Sequence, residues 1–290
     1  MVFYKIIFNL LRKITLFNTK LVERKITINY KTISYYKSKN INNSKTIILI
    51  HGLNDTKDTF LALIKELKGF NIIAIDLLGS GASYRDLNFN YSLNSQADFL
   101  QATISQIVNK EGISNFSLAG HSMGGGIALT IASKIKIEKL YLFAPYGIEA
   151  KEAKIKLRAK ESGKDIWKNV CTIKKLIQIL NDMYYKAPNI PNFILKIIVK
   201  NKCKNAKLES IKIDALVDNN LNIKDNLTNI AKNITTPTLI FAGEEDSITD
   251  ISSAYLFKEA IANSKIYTYA NCGHMVHIEM AKDVAKEINS

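Results

Sequence analysis

The sequence predicts an α/β protein, a mostly parallel sheet covered on both faces by helices and interrupted by one helical insertion. Three observations carry that expectation. Short, continuous apolar runs such as Thr46-Ile47-Ile48-Leu49-Ile50 alternate with helix-like stretches, and such runs suit strands buried on both faces. The pentapeptide Gly120-His121-Ser122-Met123-Gly124 stands between a buried run over 113–119 and a helix-like run over 126–132, which reads as strand, sharp turn, helix. The rhythm stops after Leu140-Tyr141-Leu142-Phe143-Ala144-Pro145 and resumes near Thr236.

Taken in order, residues 26–38 alternate like two paired antiparallel strands, and Asn40 to Ser44 form a polar turn. The run 46–50 ends at His51-Gly52. A helix over Thr56 to Leu67, a strand over Asn71 to Ile75, the turn Asp76 to Gly81 and a helix from about Leu93 to Val108 follow. After the pentapeptide and its helix comes the strand ending at Pro145. From Tyr146 to about Ile223 the chain offers helix-like basic stretches, aromatic pairs such as Tyr184-Tyr185, and Pro188 and Pro191 as breakers. Placed above the strand ends, this insertion acts as a cap. Phe193 to Val199 would line it on the substrate side or form its own helix core. Strands at Thr238 to Ala242 and Lys265 to Ala270 complete the sheet. The expected organisation is a basic N-terminal segment over 1–25, a core over 26–145 and 224–290, and a helical cap over 146–223.

At 290 residues with 47% hydrophobic content the chain can build a real core. Cys171, Cys203 and Cys272 are odd in number and widely spaced. They suit neither a disulfide framework nor a paired metal site, so a reducing setting is expected. The net charge of +14 is localised: residues 1–25 contribute +5 and residues 151–210 contribute +10, leaving the remainder near neutral. Those lysines either face one anionic surface or reflect compositional bias. Nucleic acid is excluded as a partner because arginine is scarce and no recognition helix or stacking motif is present. A lipid headgroup layer suits lysines better. Residues 1–20 place apolar side chains at helical spacing between charges. They are too interrupted to span a bilayer and lack a cleavable signal peptide's apolar core and cleavage site. They form either a helix lying in the membrane interface or one packed on the domain. A cytoplasmic protein, held peripherally at the inner face of a membrane, is the expected setting.

The chemistry is carried by residues that fall just past strand ends, where open α/β sheets build their sites. Ser122 sits at the sharp turn with Gly120 and Gly124 beside it, and reads as a nucleophile. It needs a base, and His274 in Asn271-Cys272-Gly273-His274 is the leading candidate, with His277 as rival. Asp246, in Gly243-Glu244-Glu245-Asp246, would orient that base. Glu245 and Asp250 are neighbouring carboxylates that could substitute, Asp76 reads as a turn cap, and Glu244 and Glu245 read as solvated. Backbone amides of Leu53 and Met123 would receive an oxyanion. His51, Gly52 and His121 support the turns. No metal or organic cofactor is expected, because no ligand-spaced cluster or phosphate-cradling glycine loop is present.

The order Ser122, Asp246, His274, with His51-Gly52 upstream and a helical insertion between Pro145 and Pro237, resembles the α/β-hydrolase superfamily over residues 26–290. Within it the chain is similar to monoacylglycerol lipases of the α/β-hydrolase domain-containing six type and to related bacterial lipases. The matching stretches are His51 to Asp58, Gly120 to Gly125, Ala144-Pro145-Tyr146-Gly147 and the tail from Gly243 through His274. The resemblance implies an α/β-hydrolase fold, with an eight-stranded, mostly parallel sheet and a cap inserted after the sixth strand. It also implies a serine carboxylic-ester hydrolase acting on monoacylglycerol or a similar lipid ester through an acyl-enzyme. Alternatives on the same scaffold are a carbon–carbon bond hydrolase, a thioesterase, or a non-catalytic ligand-binding homologue. Serine at the turn argues against the carboxylate-nucleophile branches. Acyl length, head group and oligomeric state are not legible.

Overall fold

Eight strands form one sheet in the order β1-β2-β4-β3-β5-β6-β7-β8. The computed structural model of the chain describes residues 15–42, 45–149, 153–154, 156–157, 167–219 and 221–290. Strands β1 (Leu21–Ile28) and β2 (Lys31–Ser38) make an antiparallel hairpin, and β2 runs antiparallel to β4 (Phe70–Ile75). The strands β3 (Lys45–Ile50), β4, β5 (Ser117–His121), β6 (Leu140–Phe143), β7 (Thr238–Gly243) and β8 (Ser264–Tyr269) are mutually parallel. This is the mostly parallel, eight-stranded sheet that was expected. Of the expected N-terminal amphipathic segment, residues 1–14 lie outside the described residues. Residues 15–18 form a helical turn, and β1 begins at Leu21 rather than Ile26, its register set by pairing of Leu21 with Ser38.

Helices cover both faces because alternate residues of each strand point to opposite sides. Ile48, Ile50, Leu118, Leu142 and Ile240 pack with α2 (Leu93–Glu111), α3 (Met123–Ala132) and α8 (Ile251–Ala260). Ile47, Leu49, Ala119, Phe143 and Phe241 pack with Phe60, with α1 (Leu61–Glu66) and with the C-terminal helix α10 (Ala281–Asn289). The long helix α2 starts where the Ser92 side chain accepts the Ser95 amide, and ends at Gly112 in the left-handed region.

Between Pro145 and Pro237 the described residues hold α4 (Ile173–Met183), α5 (Asn192–Lys204), α6 (Ala206–Leu216) and the short α7 (Thr228–Lys232), with a single antiparallel bridge from Val217 to Ile223. The cap has a small core of its own, built on Val170, Leu176 and Leu195, with Ile198 and Val199 against it. Of the two readings of Phe193 to Val199, the structure therefore favours the helix core: none of these residues lines the cavity below, and Phe193 is 37% exposed.

Cys171 is disulfide-bonded to Cys203 across a sequence separation of 32, with Cα atoms 4.7 Å apart. That corrects the expectation of unpaired cysteines. The antiparallel return of α5 along α4 brings the two together, which spacing alone does not reveal. A paired cap stands against the expected reducing setting. The cap is also fastened to the core by α6, where buried Lys212 donates to the Gly79 carbonyl at 3.3 Å and the Ser80 hydroxyl at 3.1 Å. Burial lowers the Lys212 pKa to about 8. The Tyr146 hydroxyl donates to the Leu216 carbonyl at 2.6 Å.

Candidate active site

The parallel strands end in step: Ile50 lies beside Gly120, His121 beside Phe143, and Gly243 beside Tyr269. The residues that follow, His51 to Leu53, Ser122, Glu244 to Asp246 and Asn271 to His274, therefore emerge along one edge. Ser122 has φ 53 and ψ −120, a left-handed backbone that lifts its side chain clear of the sheet. Its amide donates to the Phe143 carbonyl at 2.9 Å. Its own carbonyl takes the amides of Gly125 at 2.8 Å and Tyr146 at 3.0 Å, so the strained turn is held from three sides. The flanking glycines are required by contact. A Cβ on Gly120 would lie 2.1 Å from the Gly124 carbonyl oxygen, and one on Gly124 would lie 2.2 Å from that of Ile50.

His274 is 3% exposed, and its Nδ1 lies 2.8 Å from Oδ2 of Asp246. The Asp246 carboxylate collects three further donors: the amides of Ile248 at 2.7 Å and Thr249 at 2.9 Å, and the Thr249 hydroxyl at 2.7 Å. With Nδ1 engaged, Nε2 is the nitrogen of His274 left to act as a base. The rival carboxylates lie elsewhere. Asp250 caps α8 by accepting the Ser252 amide, and Glu245 accepts the Cys272 amide at 3.0 Å, so it is not a solvated side chain. Asp76 is completely buried, takes the Lys57 amide and the Ala82 amide, and is ion-paired with the Lys57 ammonium. It thus ties the turn after β4 to the loop that carries Leu53.

The remaining histidines support these loops. His51 accepts the Leu77 amide on Nε2 at 3.0 Å and so donates from Nδ1 to the Gly52 carbonyl at 2.7 Å, which defines its tautomer. His121 donates from Nε2 to the His274 carbonyl at 3.0 Å. His277, the rival base, is fully buried with Nε2 2.9 Å from the Thr59 hydroxyl, and its ring lies tilted against that of His121, centroids 4.3 Å apart, rather than meeting Asp246. Burial lowers the pKa of His277 to about 3, and burial with the neighbouring imidazoles holds His121 well below the usual histidine range. The thiol of Cys272 is pushed far up by burial and is no nucleophile.

Ser122, His274, Leu53 and Met123 all line one cavity of about 470 Å³. That size falls in the usual range for small-molecule sites, roughly 300–1,000 Å³. Gly52 lies against the turn so closely that a Cβ there would sit 3.3 Å from Cβ of Ser122, and Leu53 follows it in the cavity wall. The Met123 amide opens α3, where helix N–H groups have no intrahelical acceptor. The cap supplies apolar walls through Ile179, Leu180, Met183, Ile213 and Leu216. Among the described residues there is no group of His, Cys, Asp and Glu able to hold a metal ion.

Sequence reasoning missed Thr249, which braces Asp246, and Glu279, which accepts the Gly273 amide at 2.9 Å. A threonine three places after an aspartate is a recognised local hydrogen-bonding spacing and could have signalled the first. Nothing local signals the second.

The profile of the alpha/beta hydrolase fold family matches residues 45–281. Lipase 3 of Moraxella sp. (strain TA144) is 27% identical over 260 residues, covering 87% of this chain and 78% of its own. A monoacylglycerol lipase of Xenopus laevis is 27% identical over 270 residues, covering 89% and 78%. The crystal structure of a putative lipase from Acinetobacter baumannii AYE superposes with a TM-score of 0.84 at 25% identity, covering 97% of this chain and 94% of that one.

Proposed function

The chain belongs to the alpha/beta hydrolase fold family, and on that premise we propose that it is a serine ester hydrolase of the lipase type. Ser122 Oγ attacks the ester carbonyl as His274 Nε2 takes its proton. The amides of Leu53 and Met123 stabilise the tetrahedral oxyanion, each worth roughly 3 kcal/mol in the transition state. His274 then gives the proton to the leaving alcohol, and water repeats the sequence to release the acid. Asp246 keeps His274 in the required tautomer and stabilises its charged form. The observation that carries this reading is that Ser122, His274, Leu53 and Met123 line one cavity, while Oδ2 of Asp246 lies 2.8 Å from Nδ1 of His274.

The substrate is a monoacylglycerol or a similar lipid ester. The apolar cap walls favour an acyl chain, and the relatives named above are lipases, one of them a monoacylglycerol lipase. The working place is a membrane surface with anionic headgroups. Residues 171–207 hold eight lysines against one acid, the buried Asp182, and expose Ile177 (41%) and Phe193 (37%). Lysines and apolar side chains together suit a lipid interface. Among the described residues no helix is long and apolar enough to cross a membrane. The Cys171–Cys203 pair favours the oxidising side of that membrane over the cytoplasm.

Hydrolysis of monoacylglycerols of graded chain length, beside short p-nitrophenyl esters and thioesters, tests this with wild type and Ser122→Ala, with and without anionic vesicles. Medium- or long-chain preference, raised by vesicles and absent in the variant, is the expected result. Turnover or fluorophosphonate labelling that survives Ser122→Ala would overturn it.

A further inference from the structure

The base loop and the cap meet at Glu279. This residue closes the short helix α9 (Val276–Glu279) that follows His274. One carboxylate oxygen, Oε1, accepts the amide of Gly273 at 2.9 Å, immediately before the histidine. The other, Oε2, accepts the amide of Tyr185 at 2.8 Å, just past the C-terminal end of cap helix α4. The Lys186 amide faces the same carboxylate. On the other side of the histidine, the Met275 amide donates to the Met183 carbonyl at 3.2 Å. Both neighbours of His274 are thus linked to the C-terminal end of α4, Met275 directly to Met183 and Gly273 through Glu279 to Tyr185 just beyond it.

The fit is close. A Cβ on Gly273 would lie 2.7 Å from the Tyr185 nitrogen and 2.9 Å from the Met183 carbonyl oxygen, so cap backbone lies directly on the base loop. The same turn of α4 forms cavity wall, through Met183 and Tyr184. A carboxylate suits this place because each oxygen can accept an amide. Glutamine would accept on one side only and turn its own N–H groups toward the other donor.

From this geometry we infer that Glu279 is a positioning residue for His274, and that it makes seating of the cap's α4 end and seating of the base a single event. The inference rests on His274 being the base. With the cap end in place, both carboxylate oxygens are engaged and Gly273 is fixed. With the cap end displaced, the carboxylate loses the Tyr185 amide and the base loop loses its brace.

The test compares Glu279→Gln and Glu279→Ala with wild type, and with Ser122→Ala as the reference for the hydrolase reading itself. Readouts are thermal stability, kcat and KM on a short soluble ester and on a long-chain monoacylglycerol, and the rate at which a small fluorophosphonate labels Ser122. The short ester and the probe do not need the cap wall but do need the base. Glu279→Gln is expected to remain folded, to keep its KM for the short ester, and to lose about 10- to 100-fold in kcat, the scale of small misplacements of a reacting group. The labelling rate is expected to fall in parallel. A lowered melting temperature with wild-type kcat and labelling would overturn the inference. So would a raised KM confined to the long substrate. Should Glu279→Ala fail to fold, the glutamine variant decides. Unchanged labelling of Ser122→Ala would instead condemn the assignment of the nucleophile.

Discussion

The imidazole of His121 donates a hydrogen bond from Nε2 to the carbonyl oxygen of His274 over 3.0 Å, so the residue before Ser122 holds the backbone of the proposed base. The acceptor is a carbonyl, which can only accept, and this assigns the proton to Nε2 of His121. His121→Gln, which still offers an N–H, should keep most of the activity. His121→Leu should lose about 10- to 100-fold in kcat with little change in KM. Steady-state kinetics on a short ester distinguish the two, and equal loss in both variants would remove the hydrogen bond from the account.

Acid sensitivity follows from His277. Its folded pKa is lowered to about 3 by burial, against the ordinary value of 6.5. Below pH 6.5 the unfolded chain takes up a proton that the folded protein refuses. The contribution is therefore fully present above that pH and is lost as pH falls toward 3. Between pH 7 and pH 5 this amounts to about 2 kcal/mol for one group. Urea unfolding at the two pH values should show a smaller difference for His277→Gln, which keeps a partner for Thr59 without titrating.

Two glycines should respond very differently to alanine. At Gly124 the new Cβ would meet the backbone carbonyls of Ile50 at 2.2 Å and His51 at 2.5 Å, and neither can move without displacing β3 from α3. Gly124→Ala should cost at least about 4 kcal/mol or prevent folding. At Gly69, φ is +71 but nothing lies within 4 Å, so Gly69→Ala should cost only the left-handed backbone term, about 1–2 kcal/mol. Denaturant unfolding of both variants checks the contrast.

The cap disulfide should be visible by thiol titration. Denatured but unreduced protein is expected to yield one thiol, Cys272, because Cys171 and Cys203 are joined. Cys171→Ser should lower the stability of the α4–α5 hairpin by about 3–4 kcal/mol, the scale for closing a loop of that length. Faster proteolysis between residues 171 and 203, with the core intact, would report it.

Much of the site's placement was legible because strand ends can be read locally. Continuous apolar runs mark β3, β6 and β7, the turn at Ser122 marks β5, and parallel strands must present their following residues along one edge. Carboxylates were the weak point. Glu245 and Asp76 read locally as solvated or turn-capping groups, yet one holds the Cys272 amide and the other pairs with buried Lys57. Burial and partner are properties of distant segments, so no local pattern separates a structural carboxylate from an exposed one.

By itself the sequence determined the alternation of strands and helices, the sharp turn at Ser122 with its glycines, and the chain order of Ser122, Asp246 and His274, because periodicity and backbone sterics act between near neighbours. Only the tertiary structure decided that Glu245 holds the Cys272 amide instead of standing in solvent, that Cys171 pairs with Cys203, and that Glu279 joins the loop of Gly273 to the cap. Hydrogen bonds and disulfides form over a few ångströms between groups that the chain separates by tens of residues, and it is the return of α5 along α4 and the meeting of the α4 end with the loop of Gly273 that bring them within reach.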